Sequence, residues 1–105
     1  MKSKMIPHSH PGETLKEDFM EPHNLTAYKV AKVLGVSQTS IGQIIHGTRA
    51  ITPAMALRLE ILTGASAQFW INLQTAYDLA KARADKDFKA ELLVIAANSE
   101  FALAA

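Results

Sequence analysis

Apolar side chains recur along this chain at intervals of three and four residues, in short segments punctuated by proline and glycine, and that period belongs to helices rather than strands. Between Gly12 and Met20, Leu15 and Phe19 stand one helical turn apart, and Pro22 stops the segment. Thr26 is suited to cap a second helix running to Leu34, with Leu25 and Val30 placed as a hydrophobic staple across the cap. Ser37 repeats the arrangement for a third helix, with Val36 and Ile41 as its staple and Gly47 suited to the left-handed residue that ends it. Thr52 followed by Pro53 caps a fourth, whose stripe of Met55, Leu59 and Leu62 runs to Gly64. Ser66 caps the longest, with Phe69, Trp70, Leu73, Ala76, Tyr77 and Ala80 on one broad face. From Asp87 onward, the apolar run Leu92, Leu93, Val94 and Ile95 predicts a last helix, its Ala-rich end expected to fray. The pattern predicts an all-α fold, a five- or six-helix bundle.

The second and third helices carry the most specific signal. Ala31 is small enough to let two helices cross closely, Gly35 supplies the backbone freedom for a tight turn, and Ile41 plugs the angle between them. With Val30, Leu34, Val36, Ile44 and Ile45 on the core side, Gln38, Thr39, Gly42, Gln43 and His46 point outward. In a DNA-binding helix-turn-helix the N-terminal residues of the second helix meet base edges in the major groove. Gln38, Thr39 and Gln43 are the base-reading candidates: glutamine suits adenine N6 and N7, and the threonine methyl suits the methyl of thymine. Thr26, Lys29, Thr48 and Arg49 are the candidate phosphate contacts that fix register. Gly42 costs helix stability with no packing reward visible in the sequence.

Charge supports this placement only when read locally. The 105 residues carry a net charge of +1, yet no Asp or Glu occurs from Leu25 to Leu59, where Lys29, Lys32, Arg49 and Arg58 fall. The acids lie in flanking blocks, Glu13 to Glu21 and Asp78 to Glu91. A basic stretch inside a neutral chain is the footprint expected for phosphate binding. The chain has no cysteine, which excludes disulfide scaffolds, thiolate zinc sites and cysteine nucleophiles. No nucleophile, base and orienting residue converge and no phosphate loop is present, so an enzyme is not expected. The first ten residues carry Lys2 and Lys4 without an apolar core, and no stretch is long enough to span a bilayer, so the expected location is the cytoplasm, with no membrane partner.

The stretch LTAYKVAKVLGVSQTSIGQIIHGTRAIT resembles the helix-turn-helix of the phage-repressor (Cro/C1, XRE) family. With HPGETLKEDFMEP before it and TPAMALRLEILTGASAQFWINLQTAYDLAKAR after it, His10 to Arg83 resembles the HigA-type antitoxins of bacterial toxin–antitoxin pairs. ASAQFWINLQTAYDL is the most specific part of that likeness. The resemblance implies a lambda-repressor-like domain that dimerises, represses its own operon and neutralises a ribosome-dependent, mRNA-cleaving HigB-type toxin, with no cofactor. Gln38, Thr39 and Gln43 match positions where relatives contact bases. The operator is expected to be an inverted repeat read by a homodimer. The alternative is a stand-alone phage-type repressor without a toxin partner.

Three further sets of residues stand out in the sequence. Glu17 and Glu21, with Glu13 and Asp18, make the first helix acidic and are the candidate contacts to a basic RNA-cleaving toxin. Phe69, Trp70, Leu73 and Tyr77 are core or dimer-interface candidates, with Asn72 and Gln74 placed to hydrogen-bond across a dimer. His8, His10 and Glu13 sit on a short arm beside two prolines with no fixed geometry visible, and no metal is expected there. The domain reading is a flexible arm over 1–11, a DNA-binding and dimerisation domain over 12–84, and a C-terminal helix and tail over 85–105.

Overall fold

Each main helix begins where a side-chain oxygen meets one of its unpaired N–H groups. Thr26 Oγ1 accepts from the Lys29 N–H at 3.1 Å, Ser37 Oγ from Ser40 at 3.0 Å, Thr52 Oγ1 from Met55 at 3.2 Å and Ser66 Oγ from Phe69 at 3.0 Å. These are the four caps predicted from the sequence. The computed structural model describes residues 9–98. Their helices are α1 (Pro11–Thr14), continuing without a break into a π-helix, π1 (Leu15–Met20), then α2 (Ala27–Leu34), α3 (Gln38–Ile45), α4 (Pro53–Thr63), α5 (Ala67–Ala84) and α6 (Lys86–Ala97). No strand occurs among the described residues. No described helix is long and apolar enough to cross a membrane.

Two boundaries differ from expectation. Pro11, assigned to a flexible arm, is buried and opens α1, because His10 Nδ1 accepts the Gly12 N–H at 2.9 Å and so acts as the cap. The last helix begins at Lys86 rather than Asp87, since Asp85 Oδ1 receives the Phe88 N–H at 3.0 Å. Residues 1–8 of the expected arm and 99–105 of the expected tail lie outside the described residues.

The π-helical segment was not expected either. The Glu21 N–H reaches the Lys16 carbonyl, five residues back, at 2.9 Å. The wider repeat turns Met20 inward beside Leu15; both are buried, with Phe19 packed against them. A four-residue period had placed only Leu15 and Phe19 on that face.

The core gathers one side of every element from α1 to the first half of α5. Leu15, Val30, Ile41, Ile44, Leu59 and Trp70 expose no surface, each contributing roughly 1.5–3 kcal/mol by leaving water. Trp70 is flanked by Phe19 and Phe69, with ring centroids 5.5 and 5.2 Å away. Its indole N–H has no acceptor among the described residues, so packing alone holds the ring. Beyond Gln74 the chain leaves the core. α6 buries none of its residues and packs on α5, stretching the molecule to 54 × 29 × 24 Å. The radius of gyration is 17.3 Å, against about 13 Å for a compact domain of this length.

Two glycines give opposite expectations for one substitution. A Cβ at Gly12 would drive into the Ile44 carbonyl, whereas at Gly42 it would meet nothing within 4 Å. Gly12→Ala should lower the unfolding free energy by about 3 kcal/mol through forced separation of α1 from α3. Gly42→Ala should raise it by about 1 kcal/mol through helix propensity. Urea denaturation with unchanged m-value checks both.

Candidate nucleic-acid interface

The turn between α2 and α3 rests on Gly35, whose φ of 71° lies in the left-handed region. Its N–H donates to the Ala31 carbonyl, and Val36 N–H reaches the same carbonyl at 3.0 Å, so the end of α2 is closed as the chain reverses. Ala31 and Ile41 are buried in the corner. With Ile41 and Ile44 inward, the opposite side of α3 is turned to solvent: Gln38, Thr39 and His46 are exposed, and Gly42 and Gln43 are half-buried.

Side chains after α3 are bound to its last turn. Arg49 Nε–H donates to Gln43 Oε1 at 2.8 Å. Because arginine is only a donor, this contact settles which end of the Gln43 amide is oxygen. The amide N–H₂ and one Oε1 lone pair remain available, the pair that adenine requires. Thr48 Oγ1–H donates to the Gln43 carbonyl at 3.2 Å, so its hydroxyl proton is engaged within the protein. His46 Nδ1–H donates to the Gly42 carbonyl at 2.7 Å, leaving Nε2 outward. Thr26 Oγ1 accepts at the start of α2 and keeps its own proton free for a phosphate, with Lys29 exposed beside it.

The other candidate sets separate. Glu13 and Glu17 line a polar hollow with Lys16, His10, Ile45, His46 and Gly47, so this acidic side of α1–π1 borders the end of α3. Glu21 lies at the far end of π1, its carboxylate 3.8 Å from Lys16 Nζ, with both side chains more than half exposed. Of the four dimer candidates, Trp70 is fully buried and has no surface for a second chain, which corrects its assignment. Phe69 is 38% exposed, and Leu73 and Tyr77 are half-buried. Gln74 also departs from expectation. It is buried, its Oε1 accepts the Ile51 N–H at 2.8 Å, and its Nε2 donates to Asp78 at 3.0 Å. Asn72 stays exposed and accepts from Gln68 at 2.8 Å.

Sequence reasoning missed His10 and Gln74. His10 directly before Pro-Gly was a legible capping signal, since proline favours the first helical position. Gln74 carried none, because its partner Ile51 is remote in sequence. Among the described residues no three His, Asp or Glu side chains converge as a metal site.

Comparison with known proteins agrees with this geometry. The family model described as helix-turn-helix matches residues 17–70. Virulence-associated protein I of Dichelobacter nodosus is 47% identical over 81 residues, covering 77% of this chain and 75% of that protein. The structure of antitoxin HigA of Pseudomonas aeruginosa with the higBA promoter superposes with a TM-score of 0.72 at 32% identity, over 92% of this chain and 96% of that one. Antitoxin GraA in complex with its operator gives a TM-score of 0.77 at 34% identity, over 100% and 99% of the two chains. The chain belongs to the XRE-type helix-turn-helix family of DNA-binding proteins, among its HigA-type antitoxins. Other relatives are named as helix-turn-helix transcriptional regulators and as antitoxins.

Gln74→Met keeps the side-chain volume and removes the acceptor of the buried Ile51 N–H. The unfolding free energy should fall by about 2 kcal/mol. A change below about 0.5 kcal/mol by calorimetry would mean that water replaces the lost partner.

Proposed function

We propose that this protein is the antitoxin of a type II toxin–antitoxin pair, binding an inverted-repeat operator as a homodimer, repressing its own operon and neutralising an mRNA-cleaving HigB-type toxin. One observation carries the DNA half of this reading: the acid-free outward face of α3, formed by Gln38, Thr39 and Gln43, with Arg49 bound to Gln43. Gln38, Thr39 and Gln43 read bases; Thr26, Lys29, Thr48 and Arg49 hold phosphates, and Thr48, whose N–H and hydroxyl both donate to the Gln43 carbonyl, does so by turning its hydroxyl proton from that carbonyl to the phosphate. Arg49 also orients Gln43, so a phosphate contact and a base contact are coupled.

Dimerisation follows from electrostatics and from α6. Four basic residues in one reading region give few phosphate contacts, and a second copy doubles them. Leu93, 71% exposed, with Phe88, Leu92, Val94 and Ile95, gives α6 an apolar surface that its contact with α5 leaves open. A second copy of the chain covers it, with Phe69, Leu73 and Tyr77 of α5 as further candidates.

The toxin half is supported by the acidic α1–π1 surface and by the family. Glu17 and Glu21 remain its candidate contacts with a basic partner. Because Glu17 borders the end of α3, a toxin seated there lies close to DNA, while one centred on Glu21 does not.

Alanine at Gln38 or Gln43 should cost roughly 1–3 kcal/mol of discrimination between operator and scrambled DNA. Unchanged isotherms for both would remove α3 from the groove. Co-expression of the adjacent reading frame should yield a stable complex that Glu17→Lys with Glu21→Lys dissolves while operator binding persists. A complex indifferent to charge reversal would move the contact to the C-terminal tail, and a harmless neighbour would leave a stand-alone repressor.

A further inference from the structure

We propose that His10 is a positioning residue for DNA binding: its neutral ring clamps the Gly47–Arg49 loop against α1 and α5 in the shape the loop uses on a phosphate backbone. The inference rests on the DNA-binding reading above and adds a residue remote from the reading face.

Three elements meet at this ring. On α1, the Gly12 N–H donates to His10 Nδ1 at 2.9 Å, so that nitrogen is unprotonated and the ring's single proton sits on Nε2. On the loop, a Cβ built on Gly47 would stand 3.6 Å from the imidazole, so the ring lies against the Gly47 backbone. On α5, the Tyr77 ring lies edge-on, with centroids 4.9 Å apart and planes at 76°. Gly47 itself has a φ of 80°, so the loop leaves α3 in a conformation that needs outside support to hold one path. Arg49, two residues beyond Gly47, holds Gln43 at 2.8 Å. The contacts therefore run from Tyr77 through the His10 ring to Gly47, at the start of the short loop whose Arg49 guanidinium holds the Gln43 amide.

The clamp works in one protonation state. A proton on Nδ1 turns the acceptor of the Gly12 N–H into a second donor, and the cap of α1 is lost. Burial holds the His10 pKa below its ordinary value; Asp78 and the Arg49 carbonyl favour the charged ring, and Lys81 opposes it. Glu13, Lys16 and Glu17 from α1–π1 and His46 from the end of α3 complete the charged or titratable groups around it. Since the folded pKa is lowered, the clamp is intact above the unfolded value of about 6.5 and is lost as pH falls through the folded value.

Two variants that do not titrate separate the ring from the cap. His10→Asn keeps an acceptor for the Gly12 N–H and loses the ring against Gly47 and Tyr77; His10→Gln loses both the ring and an acceptor at the position of Nδ1. Binding of the full-length protein to its operator is measured by anisotropy at about pH 7.5 and about pH 5.5 at constant ionic strength. With a wild-type thermal midpoint, His10→Asn should bind roughly tenfold more weakly at the higher pH. His10→Gln, which lacks the cap acceptor as a protonated ring does, should also bind roughly tenfold more weakly than wild type there, and should lack the further acid-side weakening that wild type shows. Wild-type affinity for His10→Asn, or equal acid weakening in wild type and His10→Gln, overturns the clamp. If His10→Asn fails to fold, the pH profile of His10→Gln decides alone. Failure of wild type to bind any operator would instead sink the DNA-binding reading itself.

Discussion

The corner between α2 and α3 is the constraint on which the molecule depends. Gly35 reverses the chain in a left-handed turn, Ala31 allows the helices to approach, and Ile41 fills the angle. A larger residue at Ala31 would pry the helices apart, and a β-branched residue at Gly35 would be strained at a φ of 71°. Once that corner is set, Ile41 and Ile44 must face α1 and α4. The remaining side of α3, with Gln38, Thr39 and Gln43, has nowhere to point except outward. The face proposed to read bases is thus the complement of packing: it consists of what the core does not take.

The rest of the core holds that corner from below. Gly12 brings α1 against the Ile44 carbonyl, closer than any side chain permits, and Trp70 anchors α5 beneath α4. The N-terminal half of α5 is therefore part of the reading module, while its C-terminal half and α6 stand outside it with apolar side chains in water. Two tasks are divided along one helix. The buried half packs into the core behind α3, and the projecting half leaves apolar side chains exposed.

Most of the fold was legible because its information is local. Thr26, Ser37, Thr52 and Ser66 each sit at a helix start with a free N–H three residues on, and a cap is a relation between near neighbours. The helix-turn-helix was legible for the same reason, since Ala31, Gly35 and Ile41 fall within eleven positions. What escaped depends on distance. Gln74 reads as a surface glutamine until Ile51, from another segment, is laid against it, and Trp70 could not be divided between core and interface without knowing that Phe19 reaches it. The π-helical turn was hidden because Leu15 and Phe19 satisfied an ordinary helical period, and only burial shows that Met20 joins them. His10 reads from sequence as a histidine on a loose arm, whereas its Nδ1 accepts the Gly12 N–H and its ring lies against Gly47.

The central claim is that two copies of this corner present α3 to adjacent major grooves. Hydroxyl-radical footprinting of the protein on the DNA upstream of its own gene tests it most directly. The account predicts two protected patches on one face of the duplex, related by two-fold symmetry and centred roughly 34 Å apart or a multiple of that. A single asymmetric patch, or uniform weak protection without a repeat, would contradict it.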